Sequence, residues 1–275
     1  MPKAAAWILG RNVLNIVVAV KLVPDTNADK RIDPTTKRLV RAGIETVLNP
    51  FDEFAIEAAL QLKEKLGGNA VVSICTTAPE SGKEVVRKAL AMGADDAVMV
   101  SDPALEGSDV AGTARATAAA IKKIGFDLVL CGTQSTDAGT GELPGMLGEY
   151  LGVAALTYAR KLDLDGTILR AERETETGYQ RVSVQLPALA SVTKSIAQPR
   201  YASLKGIMSA KKKAIKTFVL ADLALDRPAG QEGALTEVIA LAAPPAREKG
   251  RVVPVADDDE GARVILEFLQ EKKLL

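Results

Sequence analysis

A loop dense in glycine and hydroxyl side chains, GTQSTDAGTGELPGM at 132–146, follows the apolar run FDLVLC at 126–131. A loop of this kind after a buried strand is typical of backbone N–H groups and hydroxyls that converge on an anion. The loop contains no lysine, and the chain contains no histidine, which is the commonest general base and metal ligand. The residue types therefore predict anion binding, and we expect neither a catalytic residue nor a metal site.

Three binding modes compete for this loop. A Walker phosphate loop is excluded because its lysine and the following Ser or Thr are missing. A dinucleotide fingerprint follows the first strand, whereas Gly139, Gly141 and Gly145 follow the fourth and have another spacing. The third mode is a nest of hydroxyls and amides that leads into a helix beginning near 140–142, where a phosphate would be favoured. An ordinary βα loop without a ligand remains the alternative.

Three other features have ordinary structural explanations. The stretch NPFDE at 49–53 is typical of an ordinary helix start, with an N-cap asparagine followed by a proline at the first helical position. The lysines of KKK at 211–213 are typical of a solvated helix face. Cys75 and Cys131 each end an apolar run, and we expect two small buried thiols rather than a disulfide framework.

Alternating apolar and amphipathic segments place the loop in a fold. Strands are predicted at 15–20, 70–75, 96–100 and 126–131, and helices at 50–68, 79–93 and 109–125. This alternation predicts a parallel sheet with right-handed crossovers, whose ligands bind beyond the carboxyl ends of the strands. The loop at 132–146 lies at that edge. The segment 21–48 is polar and turn-rich, and we expect a short hairpin around RLVR.

The sequence pattern changes after residue 152, from alternating strands and helices to successive strands. Four strand-like segments (YARKLDLDG, TILRAERETETG, YQRVSVQLP, ALASVT), with turns at 165–166 and 177–178, predict an antiparallel addition to the sheet. A short helix with the lysine cluster follows within 200–220. From about residue 224 the chain is rich in Pro, Gly and Ala and ends in the helical stretch EGARVILEFLQEKK.

The predicted fold is therefore α/β, a Rossmann-like adenine-nucleotide-binding parallel sheet with an antiparallel addition and an extended C-terminal arm. We divide the chain into an N-terminal extension, a nucleotide-binding domain and the arm, at 1–12, 13–223 and 224–275. The extension lacks the long apolar region of a signal peptide and the Ser/Arg richness of a transit peptide.

Composition narrows the function classes. The 275 residues are 47% apolar but only 4% aromatic, so the core is expected to consist mostly of Ala, Val, Leu and Ile. Lys plus Arg and Asp plus Glu both number 35, and this zero net charge argues against nucleic-acid binding. No apolar stretch approaches the length of a membrane span, so we expect an intracellular protein without membrane insertion.

Several segments in this order together resemble the beta subunit of electron transfer flavoproteins over roughly residues 13 to 255. The segments are VAVKLVPDT, LNPFDEFAIEAALQLKEK, KALAMGADDAVMV, DLVLCGTQSTDAGTGE, AERETETGYQRVSVQLPALAS and QPRYASLKGIMSAKKKAI. Thr177 falls where the family usually has an acidic residue or glycine, Thr133 where many members have Lys or Arg, and Ala138–Gly139 where many are more acidic.

The resemblance implies half of a heterodimer with an alpha subunit whose C-terminal domain holds most of the redox FAD. The beta subunit would bind AMP in a structural role, or a second FAD in the electron-bifurcating branch. Electrons would pass from acyl-CoA dehydrogenases of fatty acid oxidation, or other flavin dehydrogenases, to a downstream quinone oxidoreductase. The location would be the cytoplasm of a prokaryote, or the mitochondrial matrix of a eukaryote.

The resemblance also assigns site residues by position. The nucleotide would be lined by residues after the first strand, at the start of the first helix, after the second strand and in the glycine-rich loop: Ala19, Asn49, Pro50, Phe51, Asp52, Thr77, Gly132, Thr133, Gln134, Ser135, Thr136, Asp137, Ala138, Gly139, Thr140, Gly141, Glu142 and Leu143. An apolar anchor with a basic patch, Leu204 with Lys211, Lys212 and Lys213, would bind the partner dehydrogenase.

Two functions of other classes stay open at this stage. A stand-alone adenine-nucleotide-binding module would have little use for the long C-terminal arm. An independent NAD-dependent dehydrogenase is disfavoured by the missing fingerprint after the first strand.

Overall fold

A computed structural model of the chain describes residues 13–242, 245 and 249–275, so the predicted N-terminal extension lies outside the described residues. The chain divides into two compact units, Met1–Val238 and Ile239–Leu275. The strands are β1 (Leu14–Ala19), β2 (Leu22–Pro24), β3 (Thr46–Leu48), β4 (Ala70–Thr77), β5 (Asp96–Val100), β6 (Leu128–Gly132), β7 (Ala154–Asp165), β8 (Ile168–Thr175), β9 (Gly178–Gln185), β10 (Ala188–Val192) and β11 (Ile215–Phe218). The helices are α1 (Pro50–Lys65), α2 (Lys83–Met92), α3 (Val110–Ile124), α4 (Leu143–Leu151), α5 (Leu204–Lys212) and α6 (Asp258–Glu271).

One large sheet organises the first unit. Within the described residues its nine strands run in the order β11-β5-β4-β1-β6-β10-β7-β8-β9. All neighbours from β11 to β7 are parallel, while β7, β8 and β9 pair antiparallel. The predicted fold class, a mostly parallel sheet with an antiparallel addition, is confirmed, and so are the turns that join β7 to β8 and β8 to β9.

Helices cover both faces of the parallel part of the sheet. Alternate residues of β1 point to opposite layers, because successive strand side chains face opposite ways. Ile16 and Val18 belong to the core layer that includes α1 and α2, and Val17 and Ala19 to the layer that includes α3 and α4. Burial on both faces explains why the central strands are continuous apolar runs. Cys75 and Cys131 are free and buried, as expected.

Two local predictions were wrong. The segment ALASVT is not part of the antiparallel addition: β10 inserts between β6 and β7, parallel to both, and its five residues are all buried. The lysine-bearing helix ends at Lys212, and the β-branched and aromatic residues after it form β11 at the sheet edge beside β5. The short hairpin expected around RLVR is present in minimal form: Ile32 forms an antiparallel bridge with Leu39, and Val40 N donates to the carbonyl of Arg31 at 2.9 Å. The longer ribbon of this region is β2 with β3.

The β2–β3 ribbon has a positional role. Its pairing of Leu22 with Leu48 returns the chain to the end of β1, and Asn49 N then donates to the carbonyl of Lys21 at 2.9 Å. The segment from β2 to β3 thus begins and ends at the carboxyl edge of the sheet, and the start of α1 therefore lies at this edge.

The predicted arm begins as part of the first unit. Residues 224–238 lie against the first half of α3, where Arg115 Nη2 donates to the carbonyl of Pro228 at 2.7 Å. Asp109 Oδ2 accepts the backbone N–H of Leu235 at 2.8 Å. The second unit contains α6, which has an N-cap at Asp257 and no buried residue.

Candidate functional site

The ends of β1, β4 and β6 form the edge at which the sequence predicted a ligand. Ala19, the last residue of β1, is paired with Cys75 of β4 and Cys131 of β6. Thr77 ends β4 and Gly132 ends β6. The structure therefore brings the predicted residues of all three strand ends, the start of α1 and the loop 132–143 to one edge.

Asn49 ties the start of α1 to the loop. It occupies the N-cap position, but its side chain makes no cap hydrogen bond. Instead its Nδ2 donates to the carbonyl of Gln134 at 2.9 Å, and its Oδ1 accepts the backbone N–H of Thr136 at 3.3 Å. Because Asn49 is buried, these bonds replace water, and leaving either group unpaired would be unfavourable. The residue holds the loop rather than the helix.

Asp52 ties together the two chain segments that leave β1 and β6. Its buried carboxylate accepts the backbone N–H of Lys21 at 2.7 Å and that of Gly132 at 3.1 Å. Burial raises the pKa of this carboxyl to about 7, although the backbone N–H donors and Asn49 act in the opposite direction. Both carboxylate oxygens accept hydrogen bonds from the protein backbone, so this side chain fixes the chain segments that follow β1 and β6 in place.

Gly132 allows the close approach of α1 to β6. A Cβ at this position would lie 2.6 Å from Asp52 Oδ1 and 2.7 Å from the carbonyl carbon of Phe51. Any larger residue would push the strand end away from the first turn of the helix.

A cluster of charges joins the loop to the segment 21–48. The Asp137 side chain is almost fully buried between Lys21 Nζ at 2.7 Å and Arg41 Nη2 at 2.6 Å. Burial raises the pKa of Asp137, but the hydrogen bonds and charges of these cations outweigh it and hold the pKa well below its ordinary value. Lys21 also donates to Ser135 Oγ at 3.2 Å. The loop has no lysine of its own, and these cations come from the segment 21–48.

The loop and the start of α4 offer donors that have no partner among the described residues. Thr136 Oγ1 is buried and has no hydrogen-bond partner among the described residues. Glu142 precedes α4 without capping it, so side chains leave the backbone N–H groups of Leu143 and Gly145 open in the first turn of this nine-residue helix, while Pro144 between them has no N–H. Gly141, at φ +68°, passes close to Tyr158, whose Oη would lie 3.3 Å from a Cβ there. A buried hydroxyl and open amides at a helix N-terminus are donors that suit a phosphate group, so these residues fit a nucleotide.

Other predicted residues have partners within the protein. Thr77 Oγ1 lies 3.0 Å from Thr117 Oγ1 of α3. Thr133 is buried. Two cavities, of about 530 and 620 Å³, lie on the β7–β9 strands and within the segment 25–45. What marks the candidate edge is therefore its polar donors rather than either cavity.

The predicted partner-binding residues lie on and beside α5. Leu204 is 76% exposed and Tyr201 is 94% exposed. Lys211 and Lys212 point to solvent in the last turn. Lys213 differs, because its Nζ donates to the carbonyl of Ala94 in the turn after α2. Its main contact is thus internal.

Comparison with known proteins agrees with this architecture. Residues 36–223 match the family described as the electron transfer flavoprotein domain. The electron transfer flavoprotein subunit beta of Thermoanaerobacterium thermosaccharolyticum is 39% identical, over 87% of this chain and 92% of its own length. This chain belongs to the electron transfer flavoprotein family.

Further relatives extend the match to nearly the whole chain. The electron transfer flavoprotein subunit beta of Megasphaera elsdenii is 38% identical over 95% of this chain and 100% of its own length. The caffeyl-CoA reductase-Etf complex subunit CarD of Acetobacterium woodii is 35% identical over the same shares. The chain is therefore an electron transfer flavoprotein beta subunit, a carrier of electrons that works with an alpha subunit and a flavin.

None of the helices in the described ranges is long and apolar enough to cross a membrane.

Four charged residues at these sites were not predicted from the sequence. Lys21 lies within the family-like stretch VAVKLVPDT, which could have identified it. Arg41 has no local signal, because it reaches Asp137 across 96 residues of sequence. Arg200 and Glu57, which join the segment before α5 to α1, are 143 residues apart.

Proposed function

We propose that this chain is the beta subunit of a heterodimer that passes electrons from primary dehydrogenases, such as acyl-CoA dehydrogenases, to a downstream quinone oxidoreductase. FAD held mostly by the alpha subunit is the electron carrier, and this subunit holds a structural AMP. The observation that carries the AMP assignment is the loop 132–143, which Asn49 and Asp52 fasten to the start of α1 at the carboxyl edge of the sheet.

The chain's own residues suit a nucleotide with a structural role. The open amides of α4 and the free hydroxyl of Thr136 would bind the phosphate, with Lys21 as the nearby cation. FAD supplies the redox chemistry when bound, and the protein supplies position and electrostatics. A chain without histidine is consistent with this division of labour, since no proton transfer by a general base is needed.

The surface around α5 supports docking of a dehydrogenase. Tyr201, Leu204, Ile207 and Met208 are exposed apolar side chains on a short stretch, which we call the docking segment (residues 201–208). Lys211 and Lys212 lie next to it. An apolar anchor beside exposed charges suits an interface that forms quickly and releases its partner.

The C-terminal unit supports docking on the alpha subunit. Helix α6 has no buried residue, and Ile265, Leu266 and Phe268 are exposed. An amphipathic helix with an uncovered apolar side gains stability when another surface buries that side. We assign this apolar side of α6 to contact with the alpha subunit. The C-terminal arm of this chain would then wrap around its partner.

A second FAD in this subunit, as in electron-bifurcating members, is the second candidate. The observation that keeps it open is Thr133, which stands where the resemblance places Lys or Arg in many family members, so the contact expected from that basic residue to an AMP phosphate is missing. A lost charge-assisted hydrogen bond weakens phosphate binding by about 1.5–3 kcal/mol at most. The relatives are bacterial proteins, and we extend the proposal to a location in the bacterial cytoplasm.

The test is co-expression with an alpha subunit, followed by anaerobic mixing of the purified heterodimer with an acyl-CoA dehydrogenase reduced by its substrate. We expect the flavin of the heterodimer to be reduced and the beta chain alone to carry no redox activity. A heterodimer that does not form, or a beta chain that alone turns over NADH, would contradict the proposal.

A further inference from the structure

Arg200 directly precedes the docking segment, and its side chain contacts α1. Its Nε donates to Glu57 Oε2 at 2.7 Å, and its Nη2 donates to Glu57 Oε1 at 3.0 Å. Its backbone N–H donates to the same carboxylate at 3.2 Å. One carboxylate thus fixes both the guanidinium and the main chain at the residue before Tyr201.

A second carboxylate completes the contact. Glu64 lies two helical turns after Glu57 on the same side of α1, and it accepts from Arg200 Nη1 at 2.6 Å and Nη2 at 3.3 Å. Glu57 is only 4% exposed. Burial raises the pKa of Glu57, but the hydrogen bonds from Arg200 and Gln61 outweigh it and lower the pKa overall. A guanidinium is matched to this arrangement, because its planar fork can bind two carboxylates at once.

The other end of the docking segment is fixed as well. Helix α5 lies so close to α2 that a Cβ on Gly206 would be 2.3 Å from the carbonyl oxygen of Ala91. Arg87 Nη1 of α2 donates to the carbonyl of Ala210 at 2.9 Å. The segment is therefore fastened before and after its apolar side chains, which nevertheless project into solvent.

We propose that Arg200 is a positioning residue for the partner dehydrogenase: by gripping Glu57 and Glu64, it fixes the docking segment in its binding conformation before the partner arrives. The inference rests on the proposed docking role of Leu204. A segment that is already ordered does not lose conformational freedom on binding, so its affinity is higher than that of a loose one. Arg200 would act through the segment without contacting the partner's reacting groups.

A charge-steering role would require only the positive charge of Arg200, and a conservative change separates the two roles. Arg200→Lys keeps the charge but loses the two-pronged contact with Glu57. Glu57→Gln weakens the same contact from the helix side. Lys63→Gln is the matched control, because it removes an ion pair of α1 with Asp95, at 2.6 Å, that is not part of the Arg200 contact.

The experiment uses heterodimers of the parent chain, R200K, E57Q, K63Q and L204A. Reduction of their flavin by a purified, substrate-reduced acyl-CoA dehydrogenase is measured over a range of heterodimer concentrations. Hydrogen exchange of the amides of residues 204–210 is measured in the same samples without the dehydrogenase.

We expect R200K and E57Q to raise KM for the heterodimer by about tenfold, with kcat and flavin content close to those of the parent. Their amides at 204–210 should exchange faster, whereas K63Q should match the parent in both measurements. Unchanged exchange in R200K, or an unchanged KM in R200K when L204A raises KM, would overturn the role of Arg200. If L204A also leaves KM unchanged, the docking surface itself is wrong, and the exchange data alone then report whether Arg200 fastens the segment.

Discussion

Asn49 and Gln134 are joined by a 2.9 Å hydrogen bond between the Asn49 side-chain amide and the Gln134 carbonyl. The same asparagine accepts the N–H of Thr136. One side chain therefore forms two hydrogen bonds with the backbone of the loop, as a neighbouring strand would in a sheet. The candidate nucleotide edge thus depends on a residue at the N-cap position of α1 that does not cap the helix.

Replacing Asn49 by alanine is predicted to loosen the loop. The change removes two hydrogen bonds at a buried position, and we expect a loss of about 1–2 kcal/mol in the free energy of unfolding together with faster nucleotide release. Denaturant unfolding and a nucleotide-release assay on the heterodimer measure the two effects. Asn27→Ala, in an exposed turn, is the matched control. Equal release rates for the Asn49 and Asn27 variants would contradict the role of the loop.

Replacing Gly132 and Gly145 by alanine is predicted to change the stability of the protein in opposite directions. A Cβ at Gly132 would overlap Asp52 and Phe51, and such overpacking destabilises by about 1–3 kcal/mol. Gly145 lies in α4 with open space around it, and alanine there should stabilise by about 0.4–1 kcal/mol. Thermal unfolding of both variants checks the pair. A Gly132→Ala protein as stable as the parent would show that the strand end and α1 are further apart.

Asp52 is predicted to make the protein's stability depend on pH. Burial raises its pKa from 3.8 in the unfolded chain to about 7, so folding favours the protonated form. Its contribution to the free energy of unfolding is therefore present in full below about pH 4 and is lost as the pH rises to about 7. The stability of the parent relative to Asp52→Asn should fall over this range by at most about 4 kcal/mol.

Asp137 provides a control of opposite sign for that measurement. Its pKa is lowered by Lys21 and Arg41, although burial alone would raise it, so its contribution is present above its unfolded pKa and lost at lower pH. Asp137→Asn should therefore differ from the parent most at neutral pH. A parent-minus-Asp52→Asn difference that stays constant between pH 4 and 7 would contradict the burial of an ionisable Asp52.

Leu204→Ala is predicted to weaken electron uptake from the dehydrogenase while leaving the flavin content intact. The exposed side chain contributes to no buried core, so its removal should change the interface and not the fold. Stopped-flow reduction of the heterodimer measures the effect. Ile168→Ala, which shortens an exposed side chain on β8, is the control. Identical reduction rates for parent and Leu204→Ala would exclude this residue as the anchor.

The central fold was predictable because its signals are local. Continuous apolar runs such as β1 and β6, separated by amphipathic helices, specify a parallel sheet and therefore the position of the ligand edge. The mistake at β10 has a physical cause. Its order along the chain, directly after the β8–β9 hairpin, suggested a fourth antiparallel strand, but its fully buried apolar residues belong in the sheet centre between β6 and β7.

The contacts that shape the two sites were not predictable, because they join residues distant in sequence. Asp52 reaches Gly132 across 80 residues, and Arg200 reaches Glu57 across 143. Neither partner has an unusual local pattern: Asp52 and Glu57 look like ordinary polar positions of an amphipathic helix. Only the assembled fold shows that α1 holds the loop 132–143 at its start and Arg200 further along.

The most direct test of this account is to purify the heterodimer, release its nucleotides with acid and identify and count them by mass spectrometry. We expect one FAD and one AMP per heterodimer, with AMP lost and FAD kept when Asn49 is replaced by alanine. Two FADs and no AMP would contradict it and place a second redox centre in this subunit.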